Sequence, residues 1–157
     1  MRAVTSDSIS GMSGCIATCS LTKSGTQTTT ANTYTKVTFD GTSTALPYIG
    51  GAGKADLTNN RIYITVGGVY LDASLLVVDN GNWIGNWRLY KNGSATGLEY
   101  SLLADTNAVT TKAQPNGQEL TLVAGDYIEM YSKANASDPT RLVATTTQLR
   151  LIRLRDA

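Results

Sequence analysis

A chain of 157 residues fits one domain and can bury a real core, and 13 Lys and Arg against 12 Asp and Glu give a net charge of +1, which excludes a nucleic acid or an anionic membrane surface as the default partner. The absence of histidine removes Ser-His-Asp and Cys-His nucleophile systems and every His-containing zinc site. No run approaches the ~20 apolar residues that span a bilayer, so no membrane insertion is expected, while 23 Thr, 8 Tyr and 15 Gly favour pleated strands and tight turns.

Residues 1–30 are Ser, Thr and Gly with a few scattered apolar side chains, too sparse to bury a face. This predicts an N-terminal arm that is ordered only against a partner. Ile9, Met12, Ile16 and Leu21 recur at spacings of three to five and are its candidate anchors, adding a strand or short helix to a capsid or tail protein. Met1 to Ser8 lack the apolar core of a secretory signal, so the expectation is synthesis and retention in the cytoplasm, and Asn92-Gly93-Ser94 and Asn135-Ala136-Ser137 are not read as glycosylation sites. Cys15 and Cys19 have no second pair and no His to complete a tetrahedral metal site. They read either as free thiols or as a candidate disulfide formed after release from the cell, joining neighbouring arms or closing a local loop.

From residue 31 to 157 short alternating runs are separated by turn signals, the pattern of an antiparallel sandwich. Tyr34, Val37 and Phe39 mark a first strand, and Ile62, Ile64 and Val66 alternate up to Gly67-Gly68. Val69 to Val78 reads as one long strand, and Trp83 to Tyr90 runs into the hairpin signal Asn92-Gly93. Thr96 to Leu103, Glu119 to Val123, Asp126 to Ser132 and Thr145 to Leu154 supply the rest. No segment keeps a helical apolar period. Gly50-Gly51-Ala52-Gly53-Lys54 resembles a phosphate loop only superficially, because Tyr48 and Ala55 stand at positions the pattern needs filled otherwise; it reads as a loop between strands.

Asp72, Asp126 and Glu129 are the acids on which a glycoside-hydrolase pair would have to be built, but strand acids at alternate positions usually face solvent and no convergent motif accompanies them. No enzymatic activity and no cofactor are expected. Trp83 and Trp87 share a strand face with spacing that would suit a surface aromatic platform for a sugar or protein ligand, although burial in the core is the commoner fate of such residues. Arg150, Arg153 and Arg155 form a short basic stretch near the C-terminus.

Four phrases occur in an order and spacing that resemble the globular head of complement component 1q and its tumour-necrosis-factor-like jelly-roll relatives. They are Tyr34 to Asp40, Gly68 to Leu71 after Arg61 to Ile64, Leu89 to Gly93, and Leu120 to Ile128. The resemblance implies an all-β jelly roll of about ten antiparallel strands and a homotrimer. The last strand, Gln148 to Leu154, lacks the aromatics and glycine usual in that family, and no Gly-X-Y repeat lies in residues 1–30. Taken together, the expected protein is a non-enzymatic virion structural protein, a trimer displayed on a phage particle as capsid decoration, head fibre or tail tip, with a possible host-surface ligand. The alternative is a lectin-like or complement-like recognition module of a cellular protein.

Overall fold

The structure is a computed structural model that describes residues 17–42, 52–79, 84–103, 110–113, 117–134, 142–143 and 147–157. Numbered in chain order, one sheet runs β12 (Glu119–Leu122), β7 (Gly68–Asp72), β15 (Gln148–Arg155), β1 (Ala17–Thr22) and β4 (Gly41–Thr42). The second runs β10 (Ser94–Leu103), β9 (Ile84–Lys91), β13 (Tyr127–Ala134), β6 (Arg61–Ile64) and β5 (Gly53–Asp56), with β3 (Thr35–Lys36) also on β13. A third ladder joins β11 (Thr110–Ala113), β8 (Leu76–Asp79), β14 (Leu142–Val143) and β2 (Gln27–Thr28). All these ladders are antiparallel. No helix occurs among the described residues.

The period-2 pattern places the core between the sheets. From the first sheet come Leu21, Leu149, Leu151, Tyr70 and Leu122, and from the second Ile62, Ile64, Trp87, Leu89, Ile128 and Met130, all almost fully buried. Each such side chain contributes roughly 1.5–3 kcal/mol by leaving water. The Asn92-Gly93 hairpin forms as its sequence predicts, with φ of 52° and 78°, the positive values a two-residue turn between twisted strands requires.

The boundary expected at residue 30 is corrected. Six residues of β1 pair with β15 from Ala17↔Arg153 to Thr22↔Gln148, and Leu21 is a core residue rather than an arm anchor. Polar side chains order the stretch that follows. Lys23 Nζ donates to Thr38 O (3.0 Å) and Oγ1 (3.1 Å), and the Asp40 carboxylate accepts from Ser24 N (2.7 Å) and Gly25 N (3.2 Å). Gln27 donates to Lys36 O (2.6 Å) and accepts from Thr38 N (2.8 Å). These bonds supply what the sparse apolar residues do not. Ile9, Met12, Ile16 and Cys15 lie outside the described residues.

Two further expectations change. The single strand from Val69 to Val78 is broken after Asp72, whose carboxylate accepts Ser74 N (3.0 Å) in a local turn, so β7 and β8 join different ladders. Gly53 and Lys54 belong to β5 rather than to a loop, and the Ala52 carbonyl before them is held by Tyr70 OH (3.0 Å).

Candidate interaction surfaces

Each sheet turns one face to the core, and the residues that alternate with the core residues project from the other side. On the first sheet that outer face carries two rows across β12, β7 and β15: Glu119, Leu71, Ile152 and Thr121, Val69, Arg155. Leu71 and Ile152 are half-buried and outside the core cluster, while Val69 beside them is buried. The Arg155 guanidinium crosses between the rows to Glu119 at 2.8 Å.

The outer face of the second sheet has different chemistry. Tyr127, Glu129, Tyr131 and Lys133 alternate along β13 with buried Ile128, Met130, Ser132 and Ala134. Tyr90 on β9 stacks on Tyr131 with ring centroids 4.0 Å apart, and Tyr63 on β6 meets Tyr127 edge-on at 5.8 Å. Guanidinium groups lie on these rings: Arg61 is 4.5 Å from the centroids of both Tyr63 and Tyr127, and Arg88 is 3.6 Å from that of Tyr34. Each such contact is worth about 0.5–2 kcal/mol, depending on solvation. Five of the eight tyrosines thereby share one face.

Charge on this face is paired locally. Lys36 meets Glu129 at 2.5 Å, Arg61 meets Asp56 at 3.3 Å and Arg88 meets Glu99 at 3.1 Å. Burial pushes the Tyr34 hydroxyl up to about 12, with Arg88 opposing and Glu99 adding to the shift. The hydrogen bond from Asn86, with Arg88 nearby, holds Glu99 below its ordinary value.

The acids singled out in sequence are not solvent-facing. Asp72, Asp126 and Glu129 are all buried, which corrects the expectation drawn from alternation, and each has a different environment. Asp72 lies between the sheets, where burial raises its carboxyl against the hydrogen bonds from Ser74 and Tyr100. Asp126 sits in a turn, where burial raises its carboxyl but Lys91 (2.8 Å), Val123 N (2.8 Å) and Asn92 Nδ2 (2.8 Å) prevail and hold it low. Glu129 serves the tyrosyl face. They do not converge as a catalytic pair, and no group of three His, Cys, Asp or Glu able to hold a metal ion occurs among the described residues.

Trp87 is fully buried and packs on Tyr100 with centroids 4.3 Å apart, so the surface-platform reading is corrected for this residue; Trp83 lies outside the described residues. Trp87 thus takes the core position that is the commoner fate of such residues. The aromatic surface is instead built from tyrosines on four separate segments, with only the alternation of β13 visible in sequence. Cys19 packs from β1 against the core, and burial pushes its thiol up to about 11, which disfavours the thiolate at neutral pH.

No protein-family model matches the sequence. No curated protein is similar to it in sequence. Solved structures are similar to it in fold. Eiger TNF from S. frugiperda superposes with a TM-score of 0.64 at 14% identity, covering 91% of this chain and 95% of that one. The globular domain of zebrafish complement 1qA gives 0.62 at 17% identity, covering 90% and 99%. Murine APRIL at pH 5.0 gives 0.58 at 15% identity, covering 88% and 99%. The fold is therefore the jelly roll common to tumour-necrosis-factor-like and complement-1q-like domains.

Proposed function

We propose that the chain is a non-enzymatic, trimeric jelly-roll recognition module carried on the surface of a phage particle as a capsid decoration, head fibre or tail receptor-binding tip. The observation that carries the assembly is the neighbouring pair Leu71 and Ile152 on the outer face of the first sheet, half-buried aliphatic side chains that lie outside the core and suit burial against another copy. The trimer is the assembly that the family resemblance implies. Absence of chemistry is supported by the dispersal of Asp72, Asp126 and Glu129 to three structural duties. In this reading residues 1–16 carry the attachment, through Ile9, Met12 and Ile16, because Leu21 is committed to the core.

Light scattering on the purified protein should report three chains. Leu71→Glu with Ile152→Glu should give a folded monomer. A monomeric wild-type protein at micromolar concentrations overturns the assembly, and particles that keep the protein after deletion of residues 1–16 overturn the attachment.

The second reading, a lectin-like or complement-like recognition module of a cellular protein, is favoured by the fold shared with the three animal proteins named above. Capsid, portal or tail genes beside the coding sequence would exclude it.

A further inference from the structure

We infer that the tyrosyl face of the second sheet binds an acidic oligosaccharide, an assignment that deepens the recognition-module reading by naming its ligand class and rests on it. Tyr127, Tyr131 and Lys133, with buried Glu129 between the two tyrosines, lie along β13 over about 20 Å at the rise of a strand. Tyr63 and Tyr90 flank it on the neighbouring strands. The half-buried tyrosines are spread along and across neighbouring strands, an arrangement that suits an extended chain rather than an enclosed small molecule.

The rings are held before any ligand arrives. Tyr90 stacks on Tyr131, and Arg61 braces Tyr63 and Tyr127, so little side-chain freedom remains to be lost on binding. A sugar ring offers C–H groups that lie against an aromatic ring and hydroxyls that pair with phenol, carboxylate and guanidinium groups at its rim. This face supplies those partners side by side.

Its charge selects an acid. Lys36, Arg61 and Arg88 each pair with one carboxylate. Lys54, opposite Tyr63, and Lys133, over the Tyr34 ring at 4.8 Å, make no ion pair with a carboxylate among the described residues. Five cations against three carboxylates leave +2 on this face, whereas the whole chain carries +1. Carboxylated or sulfated sugars bring the missing anions. A nucleic acid, with a phosphate at every step, calls for a larger excess. A protein partner calls for an apolar centre, whereas Arg61, Tyr63, Arg88, Tyr90, Tyr131 and Lys133 on this face are aromatic or charged.

Calorimetric titration of the full chain with oligogalacturonate, sulfated dextran oligomers, neutral dextran oligomers and polyglutamate tests this. At least one acidic sugar should bind about tenfold more tightly than both neutral dextran and polyglutamate. Lys54→Glu with Lys133→Glu should weaken that binding about tenfold while leaving the melting temperature in place, and Tyr90→Leu should weaken it with the charge unchanged. Binding by neither acidic sugar, equal binding of polyglutamate, or a double variant that binds like wild type overturns the inference. Light scattering on the same samples separates the two readings: three chains without sugar binding refutes this inference alone, whereas a sugar-binding monomer refutes the trimer alone.

Discussion

Tyr100 on β10 donates its hydroxyl to the Asp72 carboxylate on β7 at 3.2 Å, a polar contact that crosses the apolar layer from one sheet to the other. The remaining partner of that carboxylate is Ser74, and among the described residues no cation forms an ion pair with it. Burial therefore raises the Asp72 carboxyl above its ordinary value and also raises the Tyr100 hydroxyl. A buried charge so weakly compensated costs stability.

The sign follows by linkage. Because the folded-state pKa is the higher one, the folded form holds its proton more tightly than the unfolded form. The contribution of Asp72 is most favourable below the unfolded pKa, near 3.9, and is lost as pH rises through the folded one. Asp72→Asn keeps an acceptor for Ser74 and loses the charge, so it should melt higher than wild type at pH 7. The difference between the two melting temperatures should shrink at pH 4. A variant that is less stable by the same amount at both pH values would refute this account.

Asp126 should behave in the opposite way. Burial raises its carboxyl, but Lys91, Val123 N and Asn92 hold it below the ordinary value, so its contribution is present above the unfolded pKa and lost as pH falls through the folded one. Asp126→Ala strips three partners at a buried site and should cost about 2–4 kcal/mol in urea unfolding at pH 7. A double-mutant cycle with Asn92→Ala should show strong coupling, because Asn92 also accepts from Tyr127 N at 2.9 Å and joins the same knot.

Residues 31–157 should not fold alone, contrary to what composition suggests, since β1 lies between β15 and β4. Removing residues 1–22 exposes the edge of β15 and deletes Leu21 from the core, so cooperative thermal unfolding should disappear. Removing residues 1–16 should preserve it. Leu21→Ala in the full chain should cost about 2–5 kcal/mol.

Gly68 should tolerate no side chain. Its φ is +156°, and a Cβ there would stand 2.5 Å from the Arg155 carbonyl oxygen and 2.8 Å from Arg153 Nε. The neighbouring strand would have to move, and Arg153 is held by two hydrogen bonds to Gly67 O at 3.1 and 2.9 Å. Gly68→Ala should destabilise by about 1–3 kcal/mol or more, while Gly97→Ala, which meets nothing within 4 Å, should cost only its backbone strain at φ +84°.

The sequence by itself determined the class of structure and many of its local pieces. Alternation at Ile62 and Ile64 or Ile128 and Met130 marks a half-buried strand, and Asn92-Gly93 marks its turn, because side-chain direction and turn torsions are properties of adjacent residues. The same alternation is present at Cys19 and Leu21, within a run of Ser and Thr too polar to stand out. What only the tertiary structure decided is which strands lie side by side. Leu21 is in the core because Leu149, near the other end of the chain, is its partner, and Asp72 is buried because β10 brings Tyr100 over it. The tyrosyl face likewise exists only once β3, β6, β9 and β13 are neighbours. A pleat repeats every two residues and is written locally, whereas strand pairing closes loops of many residues and is selected by the packing of the whole sandwich.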